Sequence, residues 1–124
     1  MSPRHTPATQ AELSRIGLLA ELPGEQLTRL AERMRREDVA GGDAPIIEGE
    51  EGDRFYVILN GLFAVSNFGT LPRRMLRPGD YFGEVALAMN IPRTANVRAL
   101  TPATVASCDK ATFDEFLRPL FADD

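Results

Sequence analysis

The sequence predicts a mainly β protein, an eight-stranded, jelly-roll-like β-roll with flanking helices. From Asp38 onward, short runs rich in aromatic and β-branched residues are separated by glycine-rich turns at intervals of about 8–12 residues, a rhythm typical of sandwiches and barrels. On both sides of this region, apolar residues recur at helical spacing instead. With 124 residues, the chain has the length of one domain with a single hydrophobic core.

The N-terminal part predicts helices over residues 9–37, after a disordered tail at residues 1–8. The tail is polar and interrupted by proline. Beyond it, Leu13, Ile16 and Leu19 recur at helical spacing. A second apolar stripe, opposite a charged face, consists of Leu27, Leu30, Ala31 and Met34.

The β-roll is predicted over residues 38–109, and a C-terminal helix over residues 110–118. The predicted strand runs are DVA, APIIEG, RFYVILNG, LFAVSNFG, RRMLRPGD, YFG, ANVRAL and ATVASCD. EVALAMN interrupts the β pattern and predicts one short helix inserted into the roll, a place where function is often found. Asp109 is the expected N-cap of the C-terminal helix, and Pro119 is expected to end or kink it.

The composition excludes several classes of function. A net charge of −4 argues against nucleic acid as a partner, since phosphate backbones are bound by clustered basic residues. Cys108 is the only cysteine and His5 the only histidine, so a disulfide, a structural zinc site and histidine-based catalysis are not expected. A cupin-type metalloenzyme would need more histidines. We therefore predict a protein that is not an enzyme and has no cofactor.

The location is predicted to be the cytoplasm, or the cytoplasmic side of a membrane protein. A single cysteine favours a reducing compartment. The chain shows neither a signal peptide nor an apolar run long enough to insert into a membrane. Lys110 is the only lysine among many arginines, and with abundant Ala, Gly and Pro this suggests a bacterial source.

The inserted helix carries the residues most suggestive of a site. A helix beginning at Gly83-Glu84 offers main-chain N–H groups without intrahelical partners, and Arg93 has the fork of donors that suits a phosphate. Glu84 could accept a hydrogen bond from a hydroxyl such as a ribose 2′-OH, and Thr94 could donate to a phosphate or a base edge. The alternative stays open, because an acidic first helical turn and a solvated arginine after a proline are also common.

The stretch FGEVALAMNIPRTANVRA resembles the phosphate-binding cassette of cyclic nucleotide-binding domains. Upstream, GDRFYVILNG is similar to the strand-turn segment of that family, and RPGDYFGE is similar to the approach to its cassette. The resemblance runs from about Ile16 to Leu117. It implies that residues 9–124 form one domain that binds a 3′,5′-cyclic nucleotide.

The resemblance also implies a role for individual residues. Arg93 would hold the cyclic phosphate and Glu84 the ribose 2′-OH. Main-chain amides lining the phosphate would come from Gly83, Val85, Ala86 and Ala95. Val65 and Leu76 would pack against the purine, although a plain core role fits both equally well, and Arg74 and Met75 are less certain neighbours.

The nucleotide and the output are left open by the resemblance. The family has Ala, Ser or Thr at the position of Thr94, which is compatible with cAMP and with cGMP, and we lean slightly to cAMP. The helix that covers the base in this family is expected to be absent, to come from another chain, or to belong to a longer protein. The effector would be an attached domain or a separate protein, and a homodimer is possible. The alternative is a degenerate β-roll that serves as an interaction or dimerisation module, against which the intact Glu84 and Arg93 argue.

Overall fold

The computed structural model of the protein describes residues 6–66 and 74–121. Its N-terminal elements are β1 (Thr6–Pro7), α1 (Gln10–Leu13), a 3₁₀ turn (Leu19–Glu21) and α2 (Gly24–Arg33). The roll consists of β2 (Arg35–Val39), β3 (Arg54–Asn60), β4 (Phe63–Ser66), β5 (Arg74–Leu76), β6 (Tyr81–Phe82), α3 (Glu84–Met89), β7 (Asn96–Ala99) and β8 (Ala103–Asp109). The C-terminal helix consists of α4 (Lys110–Thr112), a π-helical turn (Phe113–Leu117) and α5 (Arg118–Phe121).

Two antiparallel sheets form the roll. The five-stranded sheet has the order β1-β2-β8-β3-β6, and the three-stranded sheet has the order β5-β4-β7. A single bridge between Ile46 and Val97 adds the loop after β2 to the smaller sheet. These strands, with the short helix α3 between β6 and β7, confirm the predicted eight-stranded roll with an inserted helix.

Successive residues of β3 serve two different hydrophobic cores. Phe55 and Val57 pack with the apolar stripes of the N-terminal and C-terminal helices. Ile58 packs with Phe63 and Phe82 in a second core that contains residues of both sheets. Alternation along a strand sends neighbouring side chains to opposite faces, and so the sheet is covered by helices on one face and by the second sheet on the other.

The N-terminal tail differs from the prediction. Residues 1–5 of the predicted tail lie outside the described ranges. Thr6 and Pro7 pair with Arg36 and Arg35 at the edge of the larger sheet, and Ala8 is only 5% exposed. Polar composition predicts disorder for such a short segment, but pairing with an open strand edge supplies partners for its backbone.

Two further boundaries differ from the prediction. The helices predicted to residue 37 end at Arg33, and the charged run that follows is strand β2, in which Arg35 pairs with Ser107. The predicted strand APIIEG is irregular apart from the bridge at Ile46, and β1 takes its place among the eight. Pro45 lacks the N–H that a regular ladder needs. The turn predicted around residues 67–72 lies outside the described ranges.

The C-terminal helix continues past Pro119 to Phe121. Asp109 caps its start as predicted, because its side chain accepts a hydrogen bond of 2.8 Å from the Thr112 N–H. The widened π turn before Pro119 changes the helical register where the proline N–H is missing. Phe121 then stacks on Phe113, with ring centroids 5.7 Å apart, and this contact favours continuation of the helix. Within the described ranges, no helix has the length and hydropathy of a membrane span.

Candidate ligand-binding site

Helix α3 begins and ends at residues with left-handed backbone conformations. Its N-cap, Gly83, has φ 94°, and its C-cap, Asn90, has φ 56°. Gly83 also lies close to β3, since a Cβ atom there would lie 2.9 Å from the Arg54 carbonyl oxygen. Glycine is therefore required at the start of α3, both for its backbone angle and for the close approach of two chain segments.

Arg93 is buried, with 7% of its surface exposed. Its Nη1 donates to the Gly83 carbonyl at 2.9 Å, and its Nη2 donates to the Arg54 carbonyl at 2.8 Å. Its main chain is fixed as well, because its N–H donates to Glu50 and its carbonyl accepts from Gly49, both at 2.8 Å. A solvated arginine after Pro92, the ordinary alternative considered from the sequence, is therefore wrong.

Gly52 provides the space that the guanidinium of Arg93 occupies. A Cβ atom on Gly52 would lie 2.9 Å from Cζ of Arg93 and 2.7 Å from Cβ of Ala86. The first glycine of the strand-turn segment is thus explained by a contact with a residue far along the chain. Sequence reasoning identified Gly52 as part of a motif but gave it no role.

Neighbouring acidic groups favour the charged form of the buried Arg93. Burial lowers the pKa of Arg93, while the neighbouring Tyr56, Asp53 and Glu84 act in the opposite direction. Burial, together with Glu37, raises the pKa of Tyr56. An arginine is charged at neutral pH and has five N–H donors, of which main-chain carbonyls take two in this structure. The other donors are available to an anion.

An open pocket in front of Arg93 collects the predicted site residues. All of them except Leu76 line it, namely Val65, Gly83, Glu84, Val85, Ala86, Arg93, Thr94 and Ala95. Segments from β4, the start of α3 and the approach to β7 meet there. Eight of the twelve residues that line this pocket are therefore among the predicted site residues.

Leu76 does not line this pocket. It is 4% exposed and belongs to the core that joins the two sheets. It pairs with Phe63 in the smaller sheet and faces an adjoining depression, which shares Arg74 and Glu84 with the main pocket. The plain core role, which the sequence had left open for Leu76, fits this position.

Four residues line the pocket without having been among the predicted site residues. They are Ile46, Arg74, Phe82 and Val97. Ile46, Phe82 and Val97 are buried and form an apolar floor, whereas Arg74 is exposed. Ile46 reaches the pocket through its bridge to Val97, a contact between distant segments that no local pattern indicates. Arg74 was recognised from the sequence only as an uncertain neighbour.

The arrangement fits a small ligand with an anionic group, a hydroxyl and a flat apolar face. Arg93 and the first main-chain N–H groups of α3 favour an anion. The carboxylate of Glu84 accepts hydrogen bonds from hydroxyl groups. The floor offers apolar surface near Val65, as small-molecule sites commonly do.

Residues 36–119 match the sequence model of the family described as "Cyclic nucleotide-binding domain". The chain is also 38% identical over 107 residues to the cAMP-dependent protein kinase regulatory subunit of Debaryomyces hansenii. This match covers 86% of the chain but 24% of that relative. The protein therefore belongs to the cyclic nucleotide-binding domain family.

Solved structures show the same fold with different ligands. The regulatory domain of Toxoplasma gondii protein kinase A with cAMP has a TM-score of 0.83 at 28% identity, and the match covers 90% of this chain and 44% of that one. The regulatory subunit of a cAMP-independent protein kinase A from Trypanosoma cruzi, bound to guanosine, has a TM-score of 0.81 at 26% identity. This match covers 89% of this chain and 40% of that one. Fold similarity alone does not choose the ligand.

These relatives bear on two other expectations. Each is named as a regulatory subunit or a regulatory domain, in agreement with a domain that is not an enzyme. The bacterial source suggested by composition gains no support, since the Debaryomyces hansenii relative is fungal.

Proposed function

We propose that the protein is a regulatory module that binds a 3′,5′-cyclic nucleotide, cAMP in the first place, in the pocket in front of Arg93. The observation that carries this proposal is the burial of Arg93 with no carboxylate at ion-pair distance. Within residues 6–66 and 74–121, no carboxylate forms an ion pair with it. A buried cation is costly unless it is paired, and an anionic ligand supplies the pair.

The cyclic phosphate fits the end of the pocket nearest Arg93. Two N–H groups of Arg93 donate to main-chain carbonyls, and these bonds orient the guanidinium. Main-chain amides around Gly83, Val85, Ala86 and Ala95 add donors on the same side.

The ribose and the base fit the remaining parts of the pocket. Glu84 lies beside the phosphate position, where its carboxylate would repel the phosphate unless it points away from it. In that orientation it can accept a hydrogen bond from the neutral ribose 2′-OH. Val65 offers its side chain to the purine, and Thr94 lies at the exposed mouth. Leu76 supports this wall from the core.

We favour cAMP because of the relatives. The Debaryomyces hansenii relative is named a cAMP-dependent kinase regulatory subunit, and the Toxoplasma gondii structure contains cAMP. The chain spans 24% of that fungal relative, and so the output of the whole protein is a proposal as well. A cytoplasmic effector, attached or separate, would respond to a shift in population between two conformations of the module. A homodimer is compatible with this scheme.

A second candidate ligand is cGMP, and Arg74 is the observation that favours it. Its side chain lines the pocket from β5, and Thr94 lines the same pocket. Guanine presents two acceptors, O6 and N7, to an arginine, whereas adenine presents a donor at N6 that an arginine cannot accept.

Calorimetric titration tests the proposal with a matched pair of variants. Arg93→Met removes the buried guanidinium and should weaken nucleotide binding by about 100-fold, as expected for the loss of one partner from a buried charge pair. Arg98→Met is the control, since exposed Arg98 also donates to a main-chain carbonyl, that of Gly42, but does not line the pocket. It should bind as the wild type does.

Two results of the titration would contradict the proposal. A wild-type protein that gives no heat with millimolar cAMP or cGMP would contradict nucleotide binding and favour the interaction-module alternative. Equal affinities of wild type and Arg93→Met would show that Arg93 is a structural residue only.

Arg74→Ala decides between the two nucleotides in the same assay. If guanine contacts Arg74, this variant should lose about tenfold in cGMP affinity, a typical value for one base-edge contact, and keep its cAMP affinity. A wild-type preference for cAMP that Arg74→Ala leaves unchanged would exclude cGMP as the preferred ligand.

A further inference from the structure

The C-terminal end of α3 takes its hydrogen-bond donors from the C-terminal helix. Nη1 of Arg118 donates to the Ala88 carbonyl at 3.0 Å, and Nη2 donates to the Leu87 carbonyl at 2.9 Å. From its own chain segment, α3 is closed by the N–H of Asn90, which bonds to the Ala86 carbonyl. The two carbonyls after Ala86 are thus bonded by a side chain from a distant helix.

Arg118 is itself held in place on the C-terminal helix. Its Nε donates to Asp114 at 2.9 Å, and Asp114 also pairs with Lys110 at 3.2 Å. The guanidinium lies 5.7 Å from the ring of Phe113. These contacts orient the fork of Arg118 toward α3, so that little further ordering is needed to bond two carbonyls at once.

The position of Arg118 matches the electrostatics of a helix end. The last carbonyls of a helix have no intrahelical donors and form the negative end of its dipole. A guanidinium supplies both the missing donors and a positive charge at the negative end of the dipole. A hydrogen bond from a charged donor is also stronger than one between neutral groups. An apolar side chain at position 118 would leave the carbonyls of Leu87 and Ala88 without these donors.

We propose that Arg118 is a positioning residue for the nucleotide site, acting through α3. It fixes the end of α3 opposite the pocket, and therefore the placement of Gly83 and Glu84 depends on where the C-terminal helix lies. Coupling of this kind is reciprocal. Ligand binding at the start of α3 therefore favours the position of the C-terminal helix in which Arg118 bonds to the end of α3. This inference rests on the proposed nucleotide-binding function.

The first test measures nucleotide affinity in matched variants. Arg118→Met should weaken binding by about tenfold, in line with the loss of hydrogen bonds to a charged group. Arg33→Met is the control, because Arg33 bonds to Glu115 of the same helix at 2.6 Å and has no bond to α3. It should leave affinity unchanged. Arg118→Lys keeps the charge but lacks the fork that bonds two carbonyls at once, and so it should recover only part of the loss.

A merely structural role for Arg118 predicts a different pattern. Arg118→Met would then lower the melting temperature while binding nucleotide as the wild type does, and that result would overturn the proposal. The proposal would also be overturned if Arg33→Met weakened binding as much as Arg118→Met.

Hydrogen exchange without nucleotide separates this inference from the proposed function. Amides of residues 84–91 should exchange faster in Arg118→Met than in the wild type and in Arg33→Met. Unchanged exchange in Arg118→Met would show that Arg118 does not position α3. If the wild type binds no nucleotide, the proposed function fails, and exchange alone then decides whether Arg118 fixes this helix.

Discussion

At its N-terminal end, α3 is held by the buried guanidinium of Arg93, whereas at its C-terminal end it is held by the half-exposed guanidinium of Arg118. Both arginines donate to main-chain carbonyls at similar distances. Arg93 is 10 residues from its partner Gly83, within the same roll. Arg118 is 30 residues from its partner Ala88 and belongs to a different packing unit, the C-terminal helix.

The difference in burial between the two arginines indicates which end of α3 can exchange its hydrogen-bond partners. Contacts of a buried charge are hardly screened by solvent, and breaking one leaves a charged donor without its acceptor inside the protein. Contacts of the half-exposed Arg118 are partly screened by solvent and cost less to break. The pocket end of α3 is therefore the fixed end, and the end near the C-terminal helix is the one that can change partners.

The largest effect on stability is expected at the fixed end, from Gly83→Ala. The new Cβ would lie 2.9 Å from the Arg54 carbonyl oxygen and 3.2 Å from Nη1 of Arg93, at a φ of 94°. Backbone strain and overpacking together should lower the free energy of unfolding by about 3 kcal/mol. Urea unfolding measures this value, and nucleotide affinity should fall with it because Arg93 is displaced.

Gly42→Ala is the control that separates the cost of backbone strain from the cost of steric overlap in Gly83→Ala. Gly42 has the same φ of 94°, but a Cβ there would meet nothing within 4 Å. We expect a loss of about 1 kcal/mol from strain alone and an unchanged nucleotide affinity. Equal losses in the two variants would show that the fixed end tolerates a side chain and would break the comparison.

A smaller effect is expected at the other end, from Asp109→Ala. Asp109 caps the helix that carries Arg118, and losing an N-cap costs about 1 kcal/mol. Asp109→Asn keeps a capping acceptor and should be nearly neutral at pH 7. Urea unfolding of both variants gives these values, and an equal loss in Asp109→Asn would contradict the capping explanation.

The effect of Asp109 should also depend on pH. Hydrogen bonds from the backbone and the side chain of Thr112 lower the pKa of Asp109. A lowered carboxyl pKa contributes stability above the unfolded value of about 3.9, and this contribution is lost as pH falls through the folded value. The gap between wild type and Asp109→Ala should thus be constant between about pH 5 and 8 and narrow below about pH 4. A gap that widens on acidification would exclude this cause.

Local pattern predicted most elements of the fold, and the family resemblance predicted most of the residues that line the pocket. Runs rich in aromatic and β-branched residues, such as RFYVIL, marked the strands, and the single helical run EVALAMN marked α3. Pattern failed where a segment owes its structure to a distant partner. The short segment Thr6–Pro7 is a strand only because β2 offers an edge, and the charged run at Arg35 is a strand because it pairs with β8.

The sequence by itself determined the residue types of the site. The main site residues lie close together in the chain, with Gly83 and Glu84 at the start of the helix and Arg93 and Thr94 beyond its end. Their spacing can be recognised from local pattern and family resemblance. The tertiary structure alone decided that Arg93 is buried between β3 and α3, that Gly52 leaves room for it, and that Arg118 bonds to the far end of α3. The physical reason is range: backbone conformation follows from neighbouring residues, whereas burial and charge pairing depend on which distant segments the fold brings together.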